Sequence, residues 1–137
     1  MNQRRGGAAA GWTLAVALFV SACGGAPALT ELQKVRSGAI DVVLLSPRKA
    51  LQHNQDEFVL EFRSADGSRV DVGDVRASAS MPMPGMPMFG SLSVQRTDLP
   101  GRYRAAGEFS MAGTWRLSVE WNGPVGKGSV TFSAAVQ

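Results

Sequence analysis

The stretch TWRLSVEW, residues 114–121, alternates without a break: Trp115, Leu117, Val119 and Trp121 fall on one side of an extended chain, and Arg116, Ser118 and Glu120 on the other. Period two is the signature of a strand with one buried and one wet face. The pattern recurs on either side. EFVLEFRS (57–64) turns Phe58, Leu60 and Phe62 inward, and GSVTFSAAV (128–136) does the same with Val130, Phe132, Ala134 and Val136. AIDVVLL (39–45), VDVGDVRASAS (70–80), SLSVQRT (91–97) and GRYRAAGEF (101–109) repeat it less regularly. Between them, SPRKALQHNQD, ADGS, DLPG, SMAG and NGPVGKG supply turn-forming residues. These strands predict one all-β domain over residues 39–137, a single immunoglobulin-like antiparallel β-sandwich of about seven strands. Tyr103, just after DLPG, reads either as a corner whose hydroxyl bonds upstream backbone or as a half-buried strand tyrosine.

The chain opens MNQRRGGAAAGWTLAVALFVSACGG, with Arg4 and Arg5, an apolar run from Trp12 to Val20, and small residues before Cys23. That layout predicts a signal peptide over 1–22, too short to span a bilayer comfortably. Val20-Ser21-Ala22-Cys23 resembles the lipobox of bacterial lipoproteins, in which Cys23 would carry the lipid and head the mature chain. Gly24 follows, without an inner-membrane retention signal, so the expected address is the periplasmic face of the outer membrane. Cys23 is the only cysteine, and once lipidated it leaves the domain with no thiolate ligand and no disulfide. Residues 23–38 then read as the lipidated cysteine and a flexible tether, small, polar and of mixed charge. Loss of Arg4 and Arg5 reduces the formal charge of +3 to near neutrality, so no basic face for nucleic acid is expected.

The segment MPMPGMPMFG, residues 81–90, is the chemical oddity. Pro82, Pro84 and Pro87 each lack an N–H, which rules out a helix interior and a fully bonded central strand. Pro84-Gly85 suits the centre of a type II turn, with Met83 and Met86 as its outer residues. Extending both arms pairs Met81 with Met88, and period two then puts Met81, Met83, Met86 and Met88 on a common face. Neutral thioethers are soft ligands that select Cu(I), and they form no disulfides in an oxidising compartment. Met111 reads as a further sulfur or as core. His53, the only histidine, reads as a nitrogen ligand or as a solvated loop residue. The competing reading is metal-free, an apolar edge for a protein partner in an envelope complex. No phosphate loop, no Cys/His metal spacing and no nucleophile motif supports an enzyme.

Taken together, MPMPGMPMFG and LPGRYRAAGEFSMAGTWRLSVEW resemble the YtkA-like domain, similar to the extracytoplasmic part of FixH proteins. The matching residues are Met81, Pro82, Met83, Met86, Pro100, Gly101, Tyr103, Phe109, Met111, Gly113 and Trp115, within a resemblance over about residues 39 to 134. It implies an immunoglobulin-like sandwich in an exported bacterial protein associated with metal handling, efflux or copper-oxidase assembly. Family members often carry a histidine within the Met-rich segment. This chain has none there, which sharpens the expected ligand to Cu(I) rather than Cu(II).

Overall fold

The alternating segments become strands β1 (Thr30–Ser37), β2 (Ile40–Ser46), β3 (Asn54–Arg63), β4 (Asp74–Met81), β5 (Met88–Arg96), β6 (Arg102–Phe109), β7 (Gly113–Gly123) and β8 (Gly126–Val136). The computed structural model describes residues 28–137, so the expected signal peptide and Cys23 lie outside the described residues. Every neighbouring pair is antiparallel, in the order β1-β2-β3-β6-β5-β4-β7-β8. β5 passes from one layer to the other: Met88, Phe89 and Gly90 pair with β4, whereas Ser91 to Arg96 pair with β6. Without β1, the layers β2-β3-β6-β5 and β4-β7-β8 have the strand order of a constant-type immunoglobulin sandwich.

β7 holds the layers together. Its inward residues Trp115, Leu117, Val119 and Trp121 are all buried. Trp115 meets Phe109 of the opposite layer edge-on, with ring centroids 5.4 Å apart, and Trp121 meets Phe62 in the same way at 5.3 Å. Each such pair contributes about 0.5–1.5 kcal/mol beyond the area it buries. The two contacts are six residues apart on β7, about 20 Å at strand rise, so the sandwich is clamped near both ends.

Tyr103 is buried on β6, and its hydroxyl donates to the Gly73 carbonyl at 2.7 Å. It therefore bonds upstream backbone, as one sequence reading expected, and ties β6 to the passage between β3 and β4. Glu61, with Asp56, is one of two buried carboxylates on β3. It accepts from Arg63 Nε at 2.7 Å and from Arg102 Nε at 2.8 Å. Burial pushes its pKa up, but the bonds from Arg63 and Arg102 outweigh this and hold the carboxyl below the ordinary glutamate value.

The expected tether over 23–38 is corrected from Thr30 onward, because TELQKVRS is a full edge strand, the eighth of the fold. The register slips between Glu31 and Gln33, leaving Leu32 as an extra residue. This bulge sets Leu32 and Val35 three residues apart, and both pack against the core. An i, i+3 spacing imitates a weak helix and hides the strand from a period-two search. Gly38, with φ of 60°, then turns the chain tightly into β2, where Ser37 faces Ile40.

Three connections leave the sandwich at one end: β2–β3, β4–β5 and β6–β7. The end of β8 lies there, and so does the start of β1. Thr30 faces Ser46, and Leu32 and Gln33 border a cleft shared with Ser133, Ala134 and Ala135. The other connections, β1–β2, β3–β4, β5–β6 and β7–β8, gather at the opposite end.

Tyr103→Phe, which leaves the Gly73 carbonyl without this donor, is expected to lower stability by about 1–2 kcal/mol in urea unfolding. The Glu61 contribution is fully present above the ordinary glutamate pKa of about 4.3 and fades as pH falls through the lowered native value. Glu61→Gln is therefore expected to lower the urea midpoint at pH 6 while narrowing its gap to wild type near pH 3.

Candidate functional site

The hairpin between β4 and β5 forms around Pro84-Gly85. Gly85 has φ of 79°, the left-handed conformation required at the third position of a type II turn, and the Met86 N–H donates to the Met83 carbonyl at 3.3 Å. Met81 and Met88 lie directly opposite each other. The turn and register read from the sequence are thus the ones in the structure.

Depth divides the methionines. Met81 is 7% exposed and belongs to the core. Its Cε lies 2.6 Å from where a Cβ on Gly113 would stand, so the absent side chain of Gly113 makes its berth. Met88 is half-buried and packs against the same core. Met83 and Met86 flank the turn at 41% and 72% exposure, between exposed Pro82, Pro84 and Pro87. The four side chains do not share one environment: the base of the hairpin plugs the sandwich, and its tip offers thioethers to solvent.

Met111 lies on the β6–β7 connection at the same end and is 40% exposed. Its carbonyl accepts from the Trp115 indole N–H at 3.0 Å, so the tryptophan that clamps the sheets also fixes this loop. His53, on the β2–β3 connection, is exposed. Its backbone N–H donates to the Gln137 oxygen at 2.7 Å, and Nδ1 lies 2.9 Å from that atom. That oxygen only accepts, so Nδ1 is the donor in this geometry. All six expected ligand residues therefore lie at one end of the sandwich, on three connections far apart in sequence or, for Met81 and Met88, on the strand ends beside one of them. Among the described residues, no group of three or more His, Cys, Asp or Glu side chains could hold a metal ion. Soft sulfur is the distinctive donor at this end.

Sequence reasoning missed Phe89. It is 77% exposed at the base of the hairpin, opposite Ser80. The signal was present, because a Met88 that faces the core obliges its neighbour to face out.

A two-layer antiparallel sandwich with a Met-Pro hairpin projecting from one end defines an immunoglobulin-like module. The family model described as YtkA-like matches residues 34–120, well over half of the sequence, and the chain belongs to that family. No curated protein matches it. Among solved structures, the crystal structure of the Lin-41 filamin domain is similar, with 16% identity and a TM-score of 0.43, over 64% of this chain and 81% of that one.

Met81→Ala is expected to cost about 2–5 kcal/mol, the range for emptying a buried methionine site, whereas Met86→Ala should stay within about 0.5 kcal/mol. Paired urea unfolding curves measure the contrast. Equal effects would show that both residues have the same structural role.

Proposed function

We propose that the protein is an extracytoplasmic module, anchored to a membrane through lipidated Cys23, that binds Cu(I) with the thioethers of its hairpin. The observation that carries this is the tip of the turn. Met83 and Met86 stand on either side of Pro84-Gly85, joined by one backbone hydrogen bond and free of any neighbouring charge on the hairpin. Thioether sulfur is neutral and soft, and a cluster of it suits Cu(I) better than hard or borderline cations. Met88 at the base and Met111 on the adjoining loop are the further sulfurs within the same end, and His53, the single histidine of the sequence, is the nitrogen donor on the β2–β3 connection at that end. Met81 acts beneath them as the plug that fixes the arms. The tight turn keeps the two tip methionines together before metal arrives, which lowers the ordering cost of binding. Such a module would hold copper for delivery to, or removal from, an envelope partner in efflux or oxidase assembly.

Anaerobic Cu(I) competition against a chromogenic chelator tests the reading on the mature protein in detergent. Binding at one equivalent, tighter than micromolar, is expected for wild type. Met83→Leu/Met86→Leu, which keeps shape and apolarity, should weaken it at least tenfold, and Met111→Leu should weaken it less. Wild type that leaves the chelator–copper complex intact would discard copper and leave the metal-free contact edge.

A further inference from the structure

We infer that the hairpin end of the sandwich rests on the lipid bilayer, with Met83, Met86 and Phe89 entering the headgroup boundary. This rests on the lipid anchor at Cys23 and adds an orientation to it. The first observation is where the anchored chain joins the fold. β1 begins at Thr30, at the same end as the hairpin. From Cys23 to Thr30 the chain advances seven residues, which fully extended reach at most about 25 Å. β7 and β8 are 11 residues each, about 36 Å at strand rise. A sandwich standing on its other end would hold Thr30 beyond the reach of the tether, so the anchor excludes that inversion and leaves the hairpin end free to face the membrane.

The second observation is the chemistry of that end. From Ala77 to Gln95 there is no charged side chain, nor is there one from Phe109 to Trp115. Across those segments Met83, Met86, Phe89 and Met111 are the large apolar side chains left exposed. Charge at this end lies on the β2–β3 connection and its flank, where Arg48 pairs with Asp56 and Lys49 is exposed, while the opposite end carries Arg36 and Asp41 about the first turn, Asp66 and Arg69 in the second, and Lys127 beside the last. An uncharged hairpin of methionine, proline and phenylalanine beside the cations Arg48 and Lys49 has the polarity of an interfacial element, whose apolar face sits about 5–10 Å into the headgroup and acyl boundary. Hairpin and anchor enter the same surface, so neither carries the contact alone.

The test uses the full mature chain in vesicles of phosphatidylethanolamine and phosphatidylglycerol. Lipidation consumes the native thiol, so Met86→Cys, Phe89→Cys and, at the far end, Val125→Cys each introduce one nitroxide site. Power-saturation measurements with dissolved oxygen and a water-soluble nickel chelate then report depth. Positions 86 and 89 are expected to show at least threefold less chelate access, relative to oxygen, than position 125. Intact mass on the same samples reads the anchor. A diacylated chain with equal chelate access at all three positions overturns bilayer docking and returns the surface to a protein partner. A chain without lipid on Cys23, with positions 86 and 89 in water, overturns the anchor and the docking together.

Discussion

The clamp made by β7 is the constraint on which the rest of the structure depends. A strand whose inward residues begin and end with tryptophan can satisfy both rings only if aromatic partners from the facing sheet stand about 20 Å apart. Phe109 and Phe62 meet that demand from β6 and β3. Once those contacts form, the spacing of the layers is set at both ends, and the aliphatic residues between them fill the gap. The clamp reaches beyond the core. The Trp115 indole has one donor, directed to the carbonyl of Met111, so the same side chain packs the sandwich and holds the backbone of the loop that carries one exposed thioether.

Local chemistry explains what was legible in the sequence. The hairpin could be read because Pro84 sets φ and Gly85 accepts the left-handed conformation, so turn type and register follow from four adjacent residues. Strand alternation was equally local. What escaped depended on distant parts of the chain. The depth of Met81 is decided by Gly113, thirty-two positions away, whose missing side chain makes room for it. β1 was hidden by a bulge that breaks the strand period at Leu32. Convergence of Met111 and His53 on the hairpin end follows from strand order, which alternation does not encode.

These properties combine in the functional reading. The hairpin is irregular in sequence yet firmly based, since its lowest cross-strand pair is set in or against the core. A rigid base under an exposed tip is the arrangement expected where soft donors must be presented without collapsing into the apolar interior. The chain is YtkA-like in family and a sandwich in fold, and the distribution of methionine, proline and phenylalanine gives the individual protein its chemistry.

The margins of the sheets have a further consequence. β1 and β8, the outermost strands, come alongside each other, and Leu51 closes over the last turn of β8, where its N–H bonds Ala135 and its carbonyl receives the Gln137 N–H. Exposed strand margins are templates on which other chains polymerise, and bulges and charges are the usual protection. Here the bulge at Leu32, the charges of Glu31, Lys34 and Arg36, and the Leu51 cover combine to spoil that template. At high local concentration, this resistance to strand-by-strand aggregation would let many copies lie side by side as separate molecules.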